Sequence, residues 1–404
     1  MMKPVEIMLS TRTPLWTGGV DGKSDRLHAT GIIGSLRWWY EAIVRGMGGY
    51  VSDPITEEAS KRSEFDTKAY EEAKRSGTSK EDALQVGLRP LCAVSYLFGA
   101  TGWARLFRLQ IVDAPTTPLH FRTSLSMNRN WLQRVFGGEA QNIDSLRVPF
   151  GDIHLRLVSR GHNADYVVEQ VMLALRVATD YGGLGARLQH GFGQVELKLP
   201  DELEAINIGD IVQALARRLN MWERDGPEND IPFNLRYFVS QTYDVPQSRL
   251  SDFTGPRSHV GSAQKRNENG YLPCAFDLRY KGKGRWGMRR WLKEQKGWRS
   301  SDDPKQLGPL DELMGPRSQW GPKGNEKKID DELRTAGRVF FGMPYHVQRD
   351  TYRIRVFGFA PPGLLTVEEL DALCREYMDY ALGVTPIRSV FGKNLLAITG
   401  GTSK

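Results

Sequence analysis

Three stretches of the 404-residue chain hold residue types that a phosphodiester needs, each with a spacing that suggests how they would be presented. The first is residues 26–45, RLHATGIIGSLRWWYEAIVR. Thr30 is placed to cap a helix, its hydroxyl accepting from a backbone N–H one turn on. Gly31 and Gly34 fall in the first turn and leave the backbone open to close approach. Free N–H groups and the helix dipole attract phosphate at such a start, and Arg26 and Arg37 would add charge on either side. The plain alternative is that Arg37 pairs with Glu41, four residues on, along a wet helix face.

The second stretch, GGLGARLQHGFGQ at 182–194, sets five glycines around Arg187 and His190. A dinucleotide fingerprint lies after a strand and before a helix. Here a helical pattern comes before and a strand pattern after. No GKS or GKT follows, which excludes a P-loop. What remains is a tight helix-to-strand connection, or a backbone arch with a cation that a phosphodiester can approach closely. The third stretch, 279–299, carries nine Lys and Arg against Glu294, a local charge above the +7 of the whole chain. Trp286, Trp291 and Trp298 are interleaved with Lys281, Lys283, Arg285, Arg289 and Arg290. Cations for phosphates and rings for bases are what single-stranded nucleic acid asks for; a solvated basic helix with inward tryptophans would look the same. Residues 120–138 add Arg122, Arg129 and Trp131.

Composition agrees. Hydrophobic residues make up 40% of the chain, so it is globular, and its positive charge favours an anionic partner, nucleic acid first. No apolar run of about eighteen residues predicts a membrane span, and MMKPVEIML lacks a signal peptide's apolar centre. Cys92, Cys274 and Cys374 are odd in number and far apart, as suits a reducing cytoplasm. The seven histidines show no HExxH pair, and no GxSxG stands out, so neither a metal nor another cofactor is called for.

The elements that must position these residues follow from periodicity. Val5, Ile7 and Leu9 alternate as a first strand. Behind the 26–45 start, Ile32, Leu36, Trp39 and Ile43 make one apolar helix face, with Trp38 and Arg45 off it. Residues 51–90 are densely charged and read as an exposed, mainly helical insertion. Strands are expected at 104–113 and 147–160, a helix at 167–181 and a strand over VELKL. The pattern then restarts, with a helix at 208–220, a loop at 240–270, a strand at 274–280 leading into a basic helix, and a loop-like insertion at 300–336. A strand at 351–360, a helix at 367–382 and SVFGKNLLAI close it. The halves align as a duplication: Gly34–Trp39 with Gly287–Leu292, Leu97-Phe98-Gly99 and the next strand with Phe340-Phe341-Gly342 and the next, and the 167–181 helix with the 367–382 helix. Each half reads strand, helix, strand, strand, helix, strand. The expected class is α+β, tandem ferredoxin-like (RRM-like) domains over 1–199 and 206–404.

Arg26-x-x-x-Thr30-Gly-Ile-Ile-Gly-Ser-Leu-Arg-Trp-Trp-Tyr-Glu41, preceded by Thr13-Pro-Leu-Trp-Thr-Gly-Gly19, resembles the RAMP superfamily of CRISPR proteins. Within it, the stretch is similar to the first-numbered subunit family of the Cmr, or type III-B, effector complex. Residues 182–194 are similar to the RAMP glycine signature, although Gln189-His190-Gly191 departs from the spacing of many relatives. Phe276-Asp-Leu-Arg-Tyr280 fits the second half. The resemblance implies a non-catalytic subunit that holds the 3′ side of the CRISPR RNA and its paired target RNA, beside backbone and head RAMP subunits, in antiviral defence. The residues expected to meet RNA are Trp16, Lys23, Arg26, His28, Thr30, Gly31, Arg37, Trp38, Arg45, Arg122, Arg129, Gly185, Arg187, His190, Lys281, Lys283, Arg285, Arg289 and Arg290. Some RAMP relatives cleave CRISPR RNA without metal using a histidine. The alternative is therefore a metal-independent endoribonuclease, with His28 as the base toward a 2′-hydroxyl.

Overall fold

The structure, a computed structural model, describes residues 4–397 apart from 20, 21, 23, 53–61, 120–145, 161, 162, 200–207, 220–232, 251, 252, 254–269, 273, 281–284, 304, 317, 318, 321–325, 328–332 and 334. The first half runs β1 (Val5–Thr11), α1 (Ala29–Gly46), α2 (Thr67–Arg75), α3 (Lys80–Leu88), α4 (Ala93–Phe98) and β2 (Phe107–Asp113). A short hairpin, β3 (Thr116–Pro118) with β4 (Arg147–Pro149), precedes β5 (Asp152–Ser159), α5 (Ala164–Tyr181) and β6 (Val195–Lys198). A linking helix, α6 (Ile208–Leu219), leads to β7 (Phe238–Pro246), α7 (Ala275–Tyr280), α8 (Met288–Gln295) and α9 (Pro309–Met314). The chain ends with the two-residue strands β8 (Gln319–Trp320) and β9 (Glu326–Lys327), then β10 (Val339–Phe341), β11 (Tyr345–Gln348), β12 (Thr351–Phe359), α10 (Val367–Leu382), β13 (Arg388–Phe391) and α11 (Gly392–Leu395). No helix among the described residues is long and apolar enough to cross a membrane.

The molecule is mixed α and β with antiparallel sheets. The first sheet is ordered β2-β5-β1-β6 and the second β10-β12-β7-β13, with β11 also paired to β12. In each, the strand that opens the unit lies between its third and fourth partners, and every pairing is antiparallel. The strand–helix–strand–strand–helix–strand order expected of each half is present.

Alternating side chains show how the halves stack. Ile7, Leu9, Phe107, Leu109, Ile153 and Leu155 turn from the first sheet onto α1 and α5. Phe238, Phe340, Phe357 and Phe359 of the second sheet join that same core, whereas their neighbours Val239, Phe341 and Val356 join a second core with α7, α8 and α10. Side chains one apart on a strand face opposite ways, so the second sheet is buried on both faces and the first on one. The layers run sheet, helices, sheet, helices. α1 and α5 lie in the middle, which is why Leu36, Trp39, Tyr40, Ile43 and Val44 are all buried.

Several sequence expectations are corrected. Within 274–280, Ala275–Tyr280 form a helix rather than a strand; the alternation there is one of charge, yet Asp277 and Arg279 are as buried as Phe276 and Leu278. The second unit opens instead with β7, at residues expected to be loop. Its polar Ser240, Gln241, Thr242 and Asp244 hid a strand whose polar groups are paired internally, Gln241 Nε2 donating to Asp371 Oδ1 at 2.7 Å. The strand matches of the expected duplication slip by one: by sheet order β12 corresponds to β5, and Phe340-Phe341 lie in the strand that corresponds to β2. The insertion at 300–336 contains α9. The expected helices at 51–90 are present as α2 and α3.

Trp39 binds three of these parts together. Its ring meets Phe238 and Phe357 of the second sheet at centroid distances of 5.7 and 6.0 Å, and its Nε1 donates to the carbonyl of Gly183 at 2.9 Å. We expect Trp39→Ala to lower unfolding free energy by about 3–5 kcal/mol, read from urea denaturation with m unchanged.

Candidate nucleic-acid interface

Three segments converge on a groove of about 630 Å³. The loop before α1 contributes Trp16, Thr17, Gly18 and Gly22; α1 contributes Gly31, Gly34, Ser35 and Trp38; the glycine stretch after α5 contributes Gly185, Ala186, Arg187 and Gln189. Small hydroxyl residues stitch them together. The Gly185 N–H donates to Ser35 Oγ at 3.0 Å, the His28 N–H to Thr17 Oγ1 at 2.9 Å, and the Thr17 N–H to Ser24 Oγ at 2.8 Å. The Ala186 N–H donates to the Trp16 carbonyl at 2.8 Å.

The glycines divide into two kinds. Gly31 and Gly185 serve packing: a Cβ would lie 2.8 Å from Thr17 Cβ at the first and 2.6 Å from the Trp16 carbonyl at the second, where φ is +88°. Gly34 is different. It is exposed on the groove wall and a Cβ there would meet nothing within 4 Å, so bare helix backbone faces the groove. Arg187 adopts the left-handed φ of 60° and lays its guanidinium 4.7 Å over the Trp16 ring. Its buried Nε has no hydrogen-bond partner among the described residues.

The expected site residues fall into distinct groups. Trp16, Gly31, Trp38, Gly185 and Arg187 line the groove. Trp16 is a wall rather than a stacking platform, being buried edge-on against Phe192 at 5.7 Å. Trp38 is half-buried on Trp39, Phe233 and Phe359. Arg26 is exposed near the groove's entry loop. Thr30 does not cap α1: the cap position is His28, no side chain caps the helix, and the first turn holds no acidic residue. Thr30 is exposed inside the helix, whose open end keeps its positive pole unneutralised. His28 Nε2 lies 3.7 Å from Asp25 Oδ1. Arg37 and Arg45 are taken up by Glu41 at 3.0 and 3.5 Å, and Arg37 also donates to the Gly99 carbonyl.

Two expectations fail by burial. His190 is buried, stacked on Phe276 with centroids 5.7 Å apart. Burial, helped by Arg187 and Arg279, pushes its pKa down to about 3; it stays neutral and belongs to the joint between the two units. Arg289 is buried and ion-paired with Asp311 at 2.5 Å, and it donates to the Gly315 carbonyl at 2.6 Å. Of the other described cations in that basic stretch, Arg285 donates to the Tyr380 carbonyl, and exposed Arg290 sits 5.1 Å over Trp286. Trp291 is core, and Trp286 and Trp298 pack against it, so the rings face inward. Lys23, Arg122, Arg129, Lys281 and Lys283 lie outside the described residues. The groove residues that charge and motif reading passed over, Thr17 and Ser35, carried one usable signal: hydroxyls flanking glycines, which can bond backbone across a loop.

Residues 8–196, a little under half of the chain, match the model of the RAMP superfamily. Among solved structures it is similar to the apo crystal structure of Cmr1 from Pyrococcus furiosus, with 15% identity, a TM-score of 0.44, and coverage of 95% of this chain and 98% of that one. It is also similar to a chain of a type III-B Cmr-beta cryo-EM structure bound to cognate target RNA, with 10% identity, a TM-score of 0.41, and coverage of 94% and 99%. A second Cmr-beta structure, with target RNA, AMPPnP and ssDNA present, matches at 10% identity, a TM-score of 0.40 and coverage of 94% and 100%. Comparison with curated proteins gives no match.

The depressed His190 pKa has a testable consequence. Unfolded His190 takes a proton below about pH 6.5, and the folded residue does not until near pH 3. Its contribution to stability is therefore whole above pH 6.5 and lost as pH falls, by up to about 2 kcal/mol at pH 5. Urea titrations from pH 7.5 to 5 are expected to show that much less acid loss in His190→Phe than in the wild type.

Proposed function

We propose that this protein is a non-catalytic RNA-binding subunit of a type III-B CRISPR effector complex, of the first-numbered Cmr kind, and that each of its units is ferredoxin-like. In this reading it works in the cytoplasm, in antiviral defence, and holds the 3′ region of the CRISPR RNA with its paired target RNA beside other Cmr subunits. The observation that carries the RNA reading is the groove itself. Bare backbone at Gly34, Gly31 in the first turn of the uncapped α1 and the Arg187 side chain share one concave surface. N–H groups, a helix dipole and a planar cation suit a phosphodiester chain. The narrower assignment rests on the 13–41 stretch and on the match of residues 8–196 to the RAMP superfamily.

Arg26 and Arg290 are exposed, whereas Arg289 does not serve RNA: Arg289→Glu would set two carboxylates together in the core. His28 is not among the groove's lining residues, which favours binding over metal-independent cleavage. Cleavage of repeat RNA in EDTA that disappears in His28→Ala would reverse that choice.

Gly34→Leu tests the groove cleanly. The added side chain meets open space and replaces a poor helix former, so stability holds or rises by roughly 1 kcal/mol. Affinity for single-stranded RNA is expected to fall tenfold or more by fluorescence anisotropy. Arg187→Ala should weaken binding and lower the slope of log affinity against log salt by about one. Unchanged affinity in both variants would sink the groove reading.

A further inference from the structure

The second sheet's inner face is apolar only where it covers α1 and α5. Past the end of α5 the same face continues with Asp244, Arg353, Arg355 and Arg388 and bounds a cleft of about 690 Å³. Arg12, just past β1, and Glu196 of β6 line it as well. None of these residues carried a sequence signal.

The four arginines differ in what they already hold. Arg353 is committed to Asp244, donating from Nε at 2.7 Å and Nη2 at 2.9 Å. Arg12 pairs with Glu196. Arg355 and Arg388 form no ion pair with a carboxylate among the described residues. Arg355 Nη1 donates to the carbonyls of Thr179 at 2.6 Å and Gly182 at 3.0 Å, and its buried Nε finds no acceptor among the described residues. Arg388 makes a long contact with the Tyr181 hydroxyl at 3.4 Å and lies 5.2 Å from that ring.

Register brings these two together. Arg355 on β12 and Arg388 on β13 both stand opposite Thr242 of β7, one on each side. They therefore project from one cross-strand row onto one face, their backbones about 10 Å apart across two strand spacings. Asp180, also on the cleft wall, accepts from Thr179 at 3.2 Å and is the nearby carboxylate left to balance them. Two guanidiniums without acid partners, one with an orphaned N–H, make a fork–fork site for a tetrahedral oxyanion.

We propose that Arg355 and Arg388 hold a phosphate group in this cleft, as an anion site separate from the glycine-lined groove. The phosphate is either a backbone phosphate of RNA or that of a free nucleotide. The full chain, wild type and Arg388→Glu, is titrated with labelled single-stranded RNA by anisotropy and with ATP by calorimetry. Arg388 is exposed, so the variant keeps its fold, which a thermal melt verifies. If the phosphate is RNA's, Arg388→Glu lowers RNA affinity fivefold or more and ATP gives no heat with either protein. If it is a nucleotide's, ATP binds the wild type, loses tenfold or more in Arg388→Glu, and RNA affinity is unmoved. In the unmutated chain the bound ligand must also slow phenylglyoxal modification of Arg388. Affinities for both ligands within twofold of wild type, or no protection of Arg388, overturn the proposal. The groove's RNA reading is decided separately by Gly34→Leu, which does not touch this cleft.

Discussion

Trp39 is where the two halves become one molecule. A helix that packs on its own sheet normally shows water its other side. Here α1 is covered again: the phenylalanines of the second sheet close over its Trp39. The same ring abuts Gly182, where a Cβ would come 2.1 Å from it, and bonds the next carbonyl. One indole thus ties the middle helix to the second sheet and to the glycine stretch, and the groove inherits its shape from that tie.

The constraint explains why the candidate interface sits at the helix start. With α1 covered on both flanks, its N-terminal end and the segments beside it are what remain for a ligand. Packing demands glycine at 31 and 185 so that the loop and the arch can approach α1. Gly34, which packing does not demand, leaves the opening. The glycine stretch does two jobs: residues 185–189 border the groove, while His190 and Gly191 bond and stack across to the second unit, the Gly191 carbonyl accepting from the Met343 N–H at 3.1 Å.

Much of the fold was legible. Period and glycine placement located α1, α5, α10 and the strands β1, β5 and β12. β7 was not legible, because a strand buried on both faces with internally bonded polar residues has neither alternation nor a continuous apolar run. Nor was α7, where charges at alternate positions imitated a strand. Trp16, Gly31, Trp38, Gly185 and Arg187, singled out by residue type and spacing, line one groove. His190 and Arg289 were misplaced because charge and hydrogen-bonding capacity are visible in a sequence, but burial is not.

The sequence by itself determined α1, α5, α10 and the strands β1, β5 and β12, the excess of positive charge, and the stretch at 13–41 that resembles the RAMP superfamily, since each is written in composition or in neighbours close along the chain. Tertiary structure decided which cations remain available. Arg289 is consumed by an aspartate 22 residues on, and Arg37 by its own helix and the Gly99 carbonyl. Arg355 and Arg388 meet only because two strands flank a third in register. Ion pairs and sheet register are made between residues distant along the chain, so only the folded arrangement settles them.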